Sequence, residues 1–128
     1  MKNIISEKSY FFAVRIVKFY KFQIEKKREY VLSKQILRSG TAIGALVKES
    51  EHAQSKADFL NKMNVALKEA NETEYWLMLL KDTDYITAKQ FESIHLDCSE
   101  ILKLLASIVK STKESLQKRA TYKKMEIE

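Results

Sequence analysis

Apolar side chains recur every three or four positions along nearly the whole chain. That spacing places them on one face of an α-helix, not on alternate sides of a strand. It predicts four long helices. The first runs from about Ser6, a suitable N-cap, to about Lys27, with an inward stripe of Tyr10, Ala13, Val14, Val17, Tyr20 and Ile24. The second runs from about Tyr30 to His52, with Leu32, Ile36, Ser39, Ile43, Leu46 and Ala53 on one side. Ser55 and Asp58 cap the start of the third, whose stripe is Phe59, Met63, Ala66, Ala70, Thr73, Leu77 and Leu80. The fourth starts at Thr87, with Gln90 as its capping-box partner, and repeats Phe91, Ile94, Cys98, Ile101, Leu105, Ile108 and Thr112.

The links between these segments are short: Arg28–Glu29, a few residues around Gln54, and Lys81 to Ile86. Short links make successive helices antiparallel, so the pattern predicts an all-α, up-down-up-down four-helix bundle over residues 1–114. From Ser115 to the end the pattern weakens into a basic C-terminal extension, 115–128, read either as a frayed helix end or as a mobile tail. Composition agrees with long helices, because the chain has no proline and two glycines, the residues on which tight turns depend. The single cysteine, Cys98, rules out an intrachain disulfide and suggests a reducing, cytoplasmic setting. No apolar run, Tyr10 to Val14 included, approaches the length of a membrane span, and Met1-Lys2-Asn3-Ile4-Ile5-Ser6 lacks the features of a secretory leader.

Charge changes the picture from a generic bundle to one with a distinctive first helix. The formal net charge is +6, and residues 1–28 carry eight basic against two acidic side chains. Arg15, Lys18, Lys26, Lys27 and Arg28 are the main contributors there, and the extension adds Lys118, Arg119, Lys123 and Lys124. On the same helix, Phe11, Phe12, Phe19 and Phe22 fall away from the inward stripe, among Arg15, Lys18 and Lys26. Such a face reads either as a subunit interface or as an aromatic and basic surface on which unpaired bases stack while cations meet phosphate. The acidic stretch Lys68 to Trp76 is its counterpart on the third helix, where Tyr75 and Trp76 widen the apolar surface and suit a protein interface. Complementary basic and acidic helices in one subunit favour a head-to-tail ring.

Candidate catalytic chemistry does not survive a geometric reading. Glu49–His52 and Glu92–His95 have the Glu-x-x-His spacing of a di-iron bundle, but Glu92, His95 and His52 point well away from their inward stripes. Helix one supplies no inward glutamate, so no metal or other cofactor is expected. Cys98 lies on the inward seam between Ile94 and Ile101, where a thiol behaves as a small apolar residue. Gly40 and Gly44 sit inside helix two, where each costs about 1 kcal/mol against alanine. Either another helix approaches closely at these glycines or helix two is loosened there; close packing is the better reading, in the same chain or another.

The run Glu29-Tyr30-Val31-Leu32-Ser33-Lys34-Gln35-Ile36-Leu37-Arg38-Ser39-Gly40-Thr41-Ala42-Ile43-Gly44-Ala45 is the most distinctive part of the sequence. With Val47, Glu49, Ser55 to Phe59 and Ala66 to Leu77, it resembles the bacterial four-helix-bundle family, the 23S ribosomal RNA intervening-sequence proteins, over residues 8 to 112. The resemblance implies an antiparallel bundle assembled as a ring-like homopentamer. It also implies open reading frames placed inside insertions in ribosomal RNA genes, alongside members that stand alone. The accessory variability determinant of diversity-generating retroelements, a basic pentamer that binds nucleic acid and a reverse transcriptase, is similar in fold. The family offers no catalytic motif to carry over. Leu46 stands where many members have asparagine, so no polar role is carried to that position.

The expectation is therefore a non-enzymatic homo-oligomer that binds RNA or DNA backbone. Arg15, Lys18, Lys26, Lys27, Arg28 and Arg38 would neutralise phosphate, with Lys118, Arg119, Lys123 and Lys124 contributing from the extension. The alternative is an adaptor whose partner is a protein, such as a reverse transcriptase, docking on the phenylalanine face or at Tyr75–Trp76.

Overall fold

The computed structural model describes residues 3–127. Met1 and Lys2 of the leader reading, and Glu128 of the extension, lie outside the described residues. Four helices follow one another: α1 (Ile4–Phe22), α2 (Val31–Ser50), α3 (Lys56–Asp82) and α4 (Ala88–Ile127), with a π-helical turn, Gln23–Lys27, ending α1. No strand occurs among the described residues, and none of their helices is long and apolar enough to cross a membrane.

Local chemistry explains the boundaries. Asn3, not Ser6, caps α1: its Oδ1 accepts from the Ile5 N–H at 3.1 Å, and Ser6 instead donates to Glu51 at the end of α2. The Glu29 carboxylate closes the start of α2, accepting from the N–H groups of Val31, Leu32 and Ser33 and from the Ser33 hydroxyl. Ser55 accepts from the Asp58 N–H at 3.0 Å, and Thr87 and Gln90 form the reciprocal capping box the sequence indicates. Arg28 and Asp84 turn the chain with positive φ, at 52° and 67°.

Packing runs in chain order. α2 packs broadly against α1 and α3, and α3 against α4, whereas α1 meets α4 at few positions. That slack seam is bridged by side chains: Lys8 to Glu100 at 2.8 Å and Arg15 to Asp97 at 2.7 Å. The inward stripes of α3 and α4 are those the spacing predicts, except that Val109 is buried and Phe59 and Ile108 only partly so. Buried hydroxyls are satisfied, as in the Thr73–Ser39 pair at 2.8 Å.

The inward face of α1 is the main correction. The buried residues are Ile5, Ser9, Phe12 and Ile16, with Gln23 in the π-turn, whereas Tyr10, Val14 and Val17 are exposed. The cause lies across the interface. A Cβ on Gly40 would meet Ile16 Cγ1 at 2.8 Å, and one on Gly44 would meet the Ser9 carbonyl oxygen at 3.1 Å. The glycines are thus packing devices, and the helix they admit is α1 of the same chain. Their grooves select the face carrying Ser9 and Ile16, which turns the other apolar stripe outward.

The described part of the extension is helical. α4 continues without a break to Ile127; Ser115 and Leu116 are its last partly covered residues, and the Lys56 ammonium reaches the Ser115 hydroxyl. From Gln117 every described residue is exposed, so about 16 Å of helix projects past the bundle.

Candidate nucleic-acid interface

The cations singled out in the sequence separate into three groups. Arg15 is committed to α4: its guanidinium donates to the Asp97 carboxylate and to the hydroxyl and carbonyl of Ser93. Arg38 is committed to α3, donating to Glu69 at 3.1 Å and to Glu72 at 2.5 Å. The Glu72 bond and the Glu69 charge hold the Arg38 proton more tightly than usual, and Arg38, together with the Trp76 N–H, lowers the Glu72 carboxyl. Both arginines brace their helix against a neighbour.

Lys18, Lys26, Lys27 and Arg28 form the second group. They are exposed at the α1–α2 end of the bundle, and none makes an ion pair among the described residues. Lys89, which the sequence reading did not single out, joins them because the start of α4 lies beside the end of α1. The up-down-up-down order already implied that neighbourhood. Lys118, Arg119, Lys123 and Lys124 form the third group, on the projecting part of α4 and likewise exposed. Along the α4 axis, Lys118 stands about 44 Å from Lys89.

The aromatic face divides too. Phe12 is 2% exposed and belongs to the core, so it cannot line a subunit interface as expected. Phe19 is partly buried against that core, which leaves Phe11 at 67% and Phe22 at 40% exposure on the surface. Phe11 packs edge-on against Tyr10, and both border an apolar groove of about 950 Å³ between α1 and α2. Tyr75 is exposed and meets Trp76 edge-on at 5.1 Å, while the Trp76 N–H donates to Glu72.

A second groove, of about 470 Å³, opens along the slack α1–α4 seam. Arg15, Lys18, Phe19, Phe22 and Gln23 line it from α1 and the π-turn, and Lys89, Gln90, Ser93 and Ile94 from α4. Gln23 is fully buried, and neither its amide nitrogen nor its amide oxygen has a hydrogen-bond partner among the described residues. Its backbone carbonyl, by contrast, accepts from the N–H groups of Arg28 and Glu29 across the π-turn. The sequence held no signal for this amide, because a glutamine between Phe22 and Ile24 fits a solvent-facing helical position equally well.

His95, Glu49 and Cys98 have structural neighbours, and His52 is exposed. His95 pairs with Glu74 at 2.8 Å and stacks on Phe91, and Glu49 faces Lys62 at 4.0 Å. The described residues contain no group of three His, Cys, Asp or Glu that could hold a metal. Burial, with smaller effects from Glu74 and Asp97, pushes the Cys98 thiol up to about 12, so it stays protonated.

Residues 1–107 match a family model described as 23S rRNA-intervening sequence protein. A comparison with curated proteins finds no match. Among solved structures, the chain is similar to a protein of unknown function from the S23 ribosomal protein family of Bacteroides thetaiotaomicron. Identity is 63% and the TM-score 0.82, over 84% of this chain and 99% of that one.

Proposed function

This chain belongs to the 23S rRNA-intervening sequence protein family, and on that premise we propose that it is a non-enzymatic, cytoplasmic homo-oligomer that binds the phosphate backbone of RNA or DNA. The observation that carries the reading is the contrast among its cations. Lys8, Arg15 and Arg38 are tied to carboxylates, whereas Lys18, Lys26, Lys27 and Arg28 crowd one end of the bundle with no such tie among the described residues. Like charges gathered there repel one another, so the cluster gains by meeting an external polyanion. Its contacts are to phosphate, which gives affinity and salt dependence but little sequence preference.

Self-association rests on a separate feature. α1 is apolar on its outward side as well, through Tyr10, Phe11, Val14 and Val17 beside the larger groove. A second copy covering that stripe removes it from water, and the homopentamer implied by the family resemblance repeats the cationic end five times. The same stripe, with Tyr75, supports the second reading, an adaptor for a protein partner.

The test is binding of a labelled duplex between about 50 and 200 mM salt. Backbone binding predicts a log–log slope of about −0.9 per phosphate neutralised, and K26E/K27E/R28E should flatten it by about three such increments. An affinity indifferent to salt, or untouched by the triple reversal, removes the proposal in favour of the adaptor.

A further inference from the structure

We propose that the projecting end of α4, from Gln117 to Ile127, enters the major groove of B-form DNA, with Gln117 and Thr121 facing base edges and Lys118 and Lys124 meeting phosphates on the two groove walls. The inference rests on the nucleic-acid reading above and deepens it: duplex DNA becomes the ligand, and one end of the bundle reads sequence as well as charge.

Shape is the first support. Every described residue from Gln117 onward is exposed, so this part of the helix is open on all sides. With its side chains an α-helix is about 10–12 Å across, and the major groove of B-form DNA is about 12 Å wide. The major groove of an RNA duplex is too deep and narrow for side chains to read, so an inserted helix selects DNA. α4 runs unbroken from Ala88, and a helix anchored over about eight turns needs no new nucleus to continue for about three more. This segment lies past residue 107, where the match to the family model ends.

The chemistry of one face is the second. Glu114, Gln117, Lys118, Thr121, Tyr122 and Met125 line a shallow depression on the helix. At about 100° per residue, Lys118 and Lys124 stand about 60° to either side of Thr121, with Gln117 between Thr121 and Lys124. A primary amide offers an acceptor and a donor side by side, the pair that meets N6 and N7 of adenine. The Thr121 hydroxyl donates to the Gln117 carbonyl at 3.0 Å, and its methyl group remains to meet the thymine methyl. Glu114, about one turn nearer the bundle, suits a cytosine amino group. The two flanking lysines match phosphates on either side of the groove, which orient the helix without reading sequence. Arg119 and Lys123 lie on the far side and add attraction at a distance. Charge is the third support. Residues 117–127 hold four cations against one carboxylate, Glu126, and none of the four forms an ion pair among the described residues. Gln117 to Met125 spans about 12 Å, the rise of about three or four base pairs. Under backbone attraction alone the duplex is free to lie along the bundle; insertion turns it across the end of α4.

The full chain and a chain ending after Leu116 are each used to select from a pool of randomised DNA duplexes at about 150 mM salt. The full chain is expected to enrich a motif of about three or four base pairs, bound about 5- to 150-fold more tightly than the pool, and the shortened chain to enrich none. Gln117→Ala, at an exposed position where folding is not at stake, should lose the preference at one base pair of that motif. Lys118→Gln should instead weaken all sequences alike. Made as an RNA duplex, the selected sequence should bind no better than an arbitrary RNA duplex. A full chain that binds the pool without enriching any motif overturns the insertion and leaves backbone binding standing. A motif that the shortened chain enriches equally, that is indifferent to Gln117→Ala, or whose RNA form binds as tightly as its DNA form also overturns it. Failure to bind any duplex, RNA included, sinks both readings.

Discussion

Replacing Gly40 by alanine pits two well-characterised effects against each other. Helix propensity alone favours alanine by about 1 kcal/mol at an interior position. Against it, the new methyl would lie 2.8, 3.0 and 3.2 Å from Cγ1, Cγ2 and Cδ1 of Ile16. Cγ1 and Cγ2 both branch from Cβ, so rotating the side chain brings one into the place of the other, and Ile16 is fully buried. α1 must therefore retreat, and overpacking of this kind costs about 1–3 kcal/mol. The net expectation is a loss of up to about 2 kcal/mol in urea unfolding at fixed protein concentration. A double-mutant cycle with Ile16→Ala isolates the contact, because the alanine methyl partly fills the cavity the truncation leaves. Coupling of about 1 kcal/mol or more is expected, and additivity within about 0.5 kcal/mol would refute the packing argument. So would a Gly40→Ala variant that gains stability.

Further outcomes follow from other contacts. Gly44→Ala faces the Ser9 carbonyl, which cannot swing aside, so it too should lose stability; a gain measured by urea melts would contradict the close crossing of α1 and α2. Burial alone would raise the Glu29 carboxyl, but hydrogen bonds from Ser33, Leu32 and Val31 outweigh it and hold the group below its ordinary 4.5. The stability this lends is therefore present above about pH 4.5 and lost as pH falls through the lowered value. Glu29→Ala should cost about 0.5–2 kcal/mol at neutral pH and should flatten the acid limb of the stability profile. Cys98, with its thiol near 12, should alkylate at pH 8 about a thousandfold more slowly in the native protein than in urea, and comparable rates would contradict its burial. Ending the chain after Leu116 should leave stability within about 0.5 kcal/mol, because every described residue beyond is exposed. The salt slope of duplex binding should then shrink by as many as four phosphate contacts.

Helices with one apolar face could be read from the sequence alone. The Met63, Ala66, Ala70, Thr73, Leu77 and Leu80 series has one solution, as does the series on α4, and Ser55 and Thr87–Gln90 marked where those helices begin. α1 has two solutions, since Tyr10–Val14–Val17 and Phe12–Ile16–Phe19 are both helical stripes. Only the glycine pair on α2, through shape and not hydrophobicity, selects between them. The fate of the arginines was equally hidden, because Arg15 and Asp97 are 82 positions apart and meet only once the bundle closes. The Glu29 cap was missed for a different reason: its carboxylate acts from outside the helix it closes, at no standard capping position.

The continuity of α4 turns the protein into a caliper. Lys89, beside the cationic end of α1, and Lys118 are held on this one helix about 44 Å apart, and duplex advances about 3.4 Å per base pair. A duplex lying along the bundle must reach about 13 base pairs before it touches both jaws. On the proposed backbone binding, shorter duplexes should engage one end or the other, so affinity should rise in a step with length instead of growing smoothly. A mobile tail carrying the same four charges would set no such minimum.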